Sequence, residues 1–177
     1  GQAFAVLFLD LDRFKLVNDS MGHAAGDELL VEVARRITMS VRDEDVVSRL
    51  GGDEFALLVE YADGVENVRD FAQRLLAVLG LPMWVAGREL FPSASLGIAV
   101  WHPRYRNGEE LLRDADAAMY RAKEQGRDRC ALFDEAMREA AVQSLDLEAD
   151  LRRAINHRDF LPFYQPIVSL ADGSVVG

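Results

Sequence analysis

Asp10 lies at the C-terminal end of an apolar run, Ala3 to Leu11, and Asp53 follows the glycine pair Gly51 and Gly52. The run is dense in Phe, Val and Leu and predicts a strand buried on both faces. Open α/β sheets carry their sites at the C-terminal ends of such strands. The glycine pair, led into by Val46 and Val47 and followed by the apolar run 55–59, predicts a β-hairpin. Its tip is bare enough for a ligand to approach the backbone. If the two strands are neighbours, the carboxylates of Asp10 and Asp53 converge beside the Leu11 carbonyl. That set suits a hard, oxygen-seeking cation, Mg²⁺ with Mn²⁺ as the alternative. Such ions take phosphate oxygens as further ligands, activate a hydroxyl and neutralise charge on phosphorus.

Other residues could serve a nucleotide, each against a plainer role. Asn18 and Asp27 bracket a stretch punctuated by Gly22 and Gly26. A carboxylate and an amide oxygen together accept the N1–H and N2 donors of a guanine edge, a pair that adenine lacks. The plainer roles are a turn for Asn18 and a helix cap for Asp27, and on these residues alone the plainer roles prevail. Lys123 and Arg127, four apart at a helix end, can hold a triphosphate, as can Lys15, or can simply be a solvated basic terminus. His23 reads as a loop contact and not a general base. Asp12 reads as the cap of a helix starting at Phe14.

The elements that must place these residues follow from periodicity. Helices are predicted over 14–18 (a short turn), after Asp27 with Leu29, Leu30, Val33, Ala34, Ile37 and Val41 inward, over 65–79, and over 109–125 with Gly126 as its stop. The stretch 90–101 alternates as a strand does, and 130–133 is a short closing strand. The order β-α-α-β-β-α-β-α-β predicts an α+β domain with one mostly antiparallel sheet and helices on its faces. Residues 135–158 shift to a charged, alanine-rich helical linker without Gly or Pro. Residues 159–177 begin a new strand pair with a turn at Asp172-Gly173.

Composition limits the functions available. A formal net charge of -10 excludes a nucleic-acid polymer as partner, since that needs a broad basic footprint, but leaves room for a small nucleotide. The single cysteine, Cys130, excludes an internal disulfide and suits a reducing cytosol. Its apolar flank predicts a buried structural thiol. The most apolar stretch, 75–86, is too short for a bilayer and holds Gly80 and Pro82, so no membrane contact is expected here. The domain is expected in the cytoplasm, with any membrane anchor upstream. From the abrupt start and end, an excerpt of a longer protein is expected.

The spaced motifs resemble one known family. Leu9-Asp10-Leu11-Asp12-Arg13-Phe14-Lys15, Asn18-Asp19, Gly22-His23, Gly26-Asp27, Arg49-Leu50-Gly51-Gly52-Asp53-Glu54-Phe55 and Asp116 to Lys123 with Gly126-Arg127 are similar to the GGDEF diguanylate cyclases, over about residues 3–134. The resemblance implies a nucleotidyl-cyclase-like sheet related to polymerase palm domains. It implies Mg²⁺ on Asp10, the Leu11 carbonyl and Asp53, and guanine read by Asn18 and Asp27 with His23 close by. Glu54 becomes a metal-side or proton-accepting acid, and Lys15, Lys123 and Arg127 become phosphate contacts. Two domains, each holding one GTP, meet face to face as a homodimer. Each 3′-hydroxyl attacks the other's α-phosphate, giving cyclic di-GMP and two pyrophosphates.

Arg42 and Asp45, joined by Arg49, resemble the family's inhibitory site for cyclic di-GMP, and their place before the signature favours that role over a surface ion pair. The segment Tyr164-Gln165-Pro166-Ile167-Val168 resembles the opening of an EAL phosphodiesterase domain, truncated before its metal site. The segment that usually precedes the first strand in the family is missing from this sequence. The alternative to a cyclase is a GTP-binding regulatory module, weak or silent in catalysis, that steers a phosphodiesterase following it.

Overall fold

The computed structural model describes residues 3–61, 64–157 and 159–175. Twelve elements run in the order β1 (Ala3–Leu11), α1 (Phe14–Met21), α2 (His23–Ser40), β2 (Val46–Gly51), β3 (Glu54–Tyr61), α3 (Val65–Leu79), β4 (Met83–Val85), β5 (Arg88–Leu90), β6 (Ala94–Val100), α4 (Gly108–Glu124), β7 (Arg129–Leu132) and α5 (Glu135–His157). Five strands form one sheet in the order β2-β3-β1-β6-β7. Its pairs are antiparallel except β6 with β7. The mostly antiparallel α+β sheet expected from the sequence is therefore the one observed.

Strand alternation divides the side chains between two layers. Ala5, Leu7, Leu9 and Leu11 of β1 and Phe55, Leu57 and Val59 of β3 enter the larger core with Leu29, Val33 and Ile37 of α2 and Val68, Ala72 and Leu75 of α3. Phe8 turns to the other face, where it meets Leu111, Ala115 and Met119 of α4. By the same alternation Asp10 and Glu54 belong to the α4 face. Helix α4 lies close to the sheet because Gly97 of β6 has no side chain: a Cβ there would stand 1.9 Å from the Ala115 carbonyl oxygen.

Several expectations require correction. Helix α2 begins at His23 with Gly22 as N-cap, so Gly26 is inside the helix and Asp27 caps nothing. Helix α1 extends to Met21, and its N-cap is Arg13 in a left-handed conformation with no side-chain cap, so Asp12 does not cap it. The stretch 90–101 divides between β5 and β6. Strand β6 is buried almost throughout because helices cover both faces, which erases any alternation in exposure. The β4–β5 hairpin, closed by Ala86 (φ 47°) and Gly87 (φ 73°), has strands of three residues, too short for a periodic signal.

The chain divides into two units, Gly1–Glu139 and Ala140–Gly177. In the first, Asp134 accepts the Met137 N–H at 3.0 Å and starts α5. In the second, α5 continues to His157, and the expected strand pair is one bridge, Val168 with Val175, around a turn where Gly173 has φ 72°. The outer bounds expected at 1, 158 and 177 lie outside the described residues. Among the described residues no helix is long and apolar enough to cross a membrane.

Candidate active site

Strands β1 and β3 are neighbours, and their register sets Asp10 opposite Glu54. The Leu11 N–H donates to the Asp53 carbonyl at 3.3 Å, so β1 ends against the hairpin tip. Gly51 ends β2 and Gly52 turns the chain with φ 52°, a conformation that favours glycine. A bulge between Arg49 and Gly51 re-aims the tip. Asp10, Leu11, Asp53 and Glu54 thus meet at one end of the sheet.

Helix α4 brings the cation to these acids. The Lys123 ammonium lies 2.8 Å from an Asp10 oxygen, with both side chains largely buried. Burial pushes the Asp10 carboxyl above the ordinary aspartate value, against the pull of Lys123, with Asp53 and Asp12 adding to the rise. Glu54 is also raised, first by burial and then by Asp10, Asp116 and Asp53. Asp116, two turns before Lys123 on the same face of α4, is raised by burial against the Lys123 charge. Burial leads in all three, and neighbouring carboxylates add to the rise at Asp10 and Glu54.

The two residues expected to read a base, Asn18 and Asp27, lie on α1 and α2. Asn18 Oδ1 is buried and has no hydrogen-bond partner among the described residues. A Cβ on Gly26 would stand 1.9 Å from that oxygen, so glycine is what lets the two helices close around it. Asp27 follows Gly26 on the exposed side of α2, one turn from exposed His23. Lys15 is exposed on α1. A buried acceptor left unpaired is costly, so this oxygen is open to a donor from outside the described residues.

Asp12 has a role that the sequence did not show. Its side chain is 1% exposed, accepts from the hydroxyls of Ser93 (2.9 Å) and Ser95 (2.8 Å) and from the Asp128 N–H (3.1 Å), and lies 3.9 Å from Arg127 Nε.

The three residues expected in one inhibitory site are divided. Arg42 and Asp45 line a cleft of about 320 Å³ with Tyr61, Asn67 and Arg74, the last of which the sequence reading missed. They form a turn, with the Asp45 carboxylate accepting the N–H groups of Arg42 (2.9 Å) and Glu60 (3.2 Å). Arg49 instead grips the hairpin tip, donating from Nε (3.0 Å) and an Nη (2.7 Å) to the Gly52 carbonyl. Cys130 is half-buried, and burial pushes its thiol up, as in a packing residue.

Residues 1–129 match the diguanylate cyclase GGDEF domain, and the chain belongs to this family. MucR of Pseudomonas aeruginosa, named a bifunctional diguanylate cyclase and cyclic di-GMP phosphodiesterase, is 44% identical over 174 residues, 98% of this chain and 25% of that protein. NbdA of the same organism, named a cyclic di-GMP phosphodiesterase, is 40% identical over 175 residues, 99% of this chain and 22% of that protein. The chain therefore spans about a quarter of the length of these relatives. Among solved structures, the GGDEF domain of YfiN (TpbB) from Pseudomonas aeruginosa superposes with a TM-score of 0.72 at 41% identity, covering 75% of this chain and 83% of that one.

Proposed function

We propose that this domain is a Mg²⁺-dependent diguanylate cyclase that joins two GTP molecules into cyclic di-GMP, releasing two pyrophosphates. The observation that carries this reading is the intact acid cluster at the β1–β3 end, with Asp10 opposite Glu54, Asp53 at the tip and Lys123 on Asp10. Among the described residues no three His, Cys, Asp or Glu side chains are arranged as a cage for a metal ion. The fit is of another kind: two carboxylates, Asp10 and Asp53, with the Leu11 carbonyl, leave coordination positions to phosphate oxygens. Burial raises the proton affinity of Asp10, and a hard cation held there would relieve it. When bound, it supplies charge neutralisation at phosphorus.

The chain's own residues do the rest. Asn18 and Asp27 accept the guanine donors and fix the base. Lys15, Lys123 and Arg127 hold the phosphates, which requires Lys123 to turn from Asp10 to the nucleotide. A second copy of the domain presents its GTP, so that the 3′-oxygen of each nucleotide forms a bond to the α-phosphorus of the other. Each phosphorus then loses its bond to the bridging oxygen of the departing pyrophosphate, two bonds formed and two broken. Glu54, in register with Asp10, accepts the hydroxyl proton. Cyclic di-GMP is also taken as an inhibitor in the Arg42–Asp45 cleft.

The relationship to NbdA supports a second reading, a GTP-binding module that regulates an EAL phosphodiesterase beginning in the 159–177 segment. One assay separates the two. Purified chain with GTP and Mg²⁺ should yield cyclic di-GMP and pyrophosphate, and Asp53→Ala should yield neither while melting at the wild-type temperature. GTP binding without product in the wild type would favour the regulatory module. Product from Asp53→Ala at near wild-type rate would remove Asp53 from the chemistry.

A further inference from the structure

We propose that Asp12 is a positioning residue whose buried carboxylate joins the β1–α1 turn, the start of β6 and the α4–β7 turn, and so places Arg127 beside the nucleotide phosphates. The proposal rests on the reading of Arg127 as a phosphate contact.

The α4–β7 turn needs such an anchor. Gly126 (φ 115°), Arg127 (φ 64°) and Asp128 (φ 49°) are three successive residues on the left-handed side, and two of them carry side chains that disfavour it. From one side the turn is held by the end of α4, where the Arg127 N–H donates to the Ala122 carbonyl at 3.1 Å. From the other it is held by Asp12, which accepts the Asp128 N–H on Oδ2 and faces Arg127 Nε with Oδ1. Asp12 is itself fixed: its N–H donates to the Ser93 carbonyl at 2.9 Å, Ser93 Oγ donates to Oδ2 and Ser95 Oγ to Oδ1. Asp12, Arg127 and Asp128 line one cleft of about 370 Å³ with Arg13 of the β1–α1 turn. A negative charge at this depth orients the guanidinium, which would otherwise swing freely from a half-exposed side chain.

The two oxygens allow the roles to be separated. In Asp12→Asn the amide oxygen can stay toward the Asp128 N–H and keep the turn. Its amino group then replaces Oδ1, where the Ser95 hydroxyl can rotate to accept it and the Arg127 guanidinium meets a donor in place of a charge. The probes are 3′-deoxy-GTP, which binds without condensing, and guanosine, both titrated calorimetrically into the wild type, D12N, R127A and the double variant. D12N should bind 3′-deoxy-GTP about tenfold more weakly, the order of a contacting-pair coupling, and guanosine as the wild type does. D12N/R127A should be no weaker than R127A alone. Ser95→Ala, which frees Oδ1 from its hydroxyl, should shift affinity in the same direction by less, and it tests the proposal even if D12N folds poorly. Wild-type affinity in D12N and Ser95→Ala, equal loss for both probes, or additive losses in the double variant would overturn the proposal. Affinity lost in R127A but kept in D12N would sink this inference alone, whereas a wild type that binds no 3′-deoxy-GTP would sink the nucleotide reading with it.

Discussion

Asn18 shows what a single side chain can reveal about a site. Its buried Oδ1 has no partner among the described residues, and an unmet acceptor costs on the order of 1–3 kcal/mol. If that oxygen is kept for a guanine donor, stability and binding should move in opposite directions. Asn18→Ala should leave the melting temperature unchanged or raised, while GTP affinity falls by about 1–3 kcal/mol. Asp27→Ala, on the exposed side of α2, should lose similar affinity and part of the preference over ATP, with no change in stability, since it caps nothing. Calorimetry and thermal melts check both; undiminished GTP affinity would remove the guanine role from Asn18 and leave it a residue of α1. The meeting of Asp10 and Asp53 at one end of the sheet was legible in the sequence because Asp10 lies at the end of an apolar run and Asp53 follows the glycine pair of a hairpin. Asp12 was misread as a cap because its partners Ser93, Ser95 and Asp128 lie 81, 83 and 116 residues away, a pairing that no local pattern carries.

At the scale of elements, α4 places the site because it can approach the sheet. The Gly97 position leaves room for the Ala115 carbonyl and the Met119 N–H, and a methyl group there would stand 1.9 and 2.2 Å from them. Both neighbours are backbone and cannot rotate away, so Gly97→Ala should push α4 off β6 and carry Lys123 away from Asp10. The expected loss is about 3 kcal/mol of stability, the upper end of overpacking costs, measured by denaturant unfolding. Unchanged stability would mean that α4 is not held at this contact. Strand β1 and helix α3 were read to their observed ends because nine and fifteen residues give the period room to show. The β4–β5 hairpin was not, and neither was what holds it: Arg36 of α2 donates to the carbonyls of Leu81 (2.7 Å) and Pro82 (2.8 Å), and Glu28 accepts the Ala86 N–H at 2.9 Å. Such tertiary bonds leave no spacing in the sequence to find.

For the whole molecule, the proposed cyclase holds one GTP per domain and would supply only half of its product, so on that proposal catalysis requires a second copy and control acts on how two copies meet. The Arg42–Asp45 cleft opens beside Arg74 of α3, away from the hairpin tip that Arg49 grips. Product phosphates bridged by Arg42 and Arg74 to a partner domain would hold the acid clusters apart, a coupling between distinct sites. Arg42→Ala should therefore leave initial turnover nearly unchanged and relieve inhibition as cyclic di-GMP accumulates, and Arg74→Ala should do the same. Asp45→Ala is a poorer probe, because its carboxylate also accepts the Arg42 and Glu60 N–H groups and its loss loosens the turn. Arg49→Ala should behave oppositely, lowering initial turnover by releasing the Gly52 carbonyl while product inhibition persists. Progress curves with and without added cyclic di-GMP, run at several enzyme concentrations, distinguish the two behaviours, and the wild-type initial rate should rise faster than linearly with enzyme. Equal inhibition in the wild type, Arg42→Ala and Arg74→Ala would leave the cleft as a surface feature, and a linear rate in a proven monomer would remove the second copy from the mechanism.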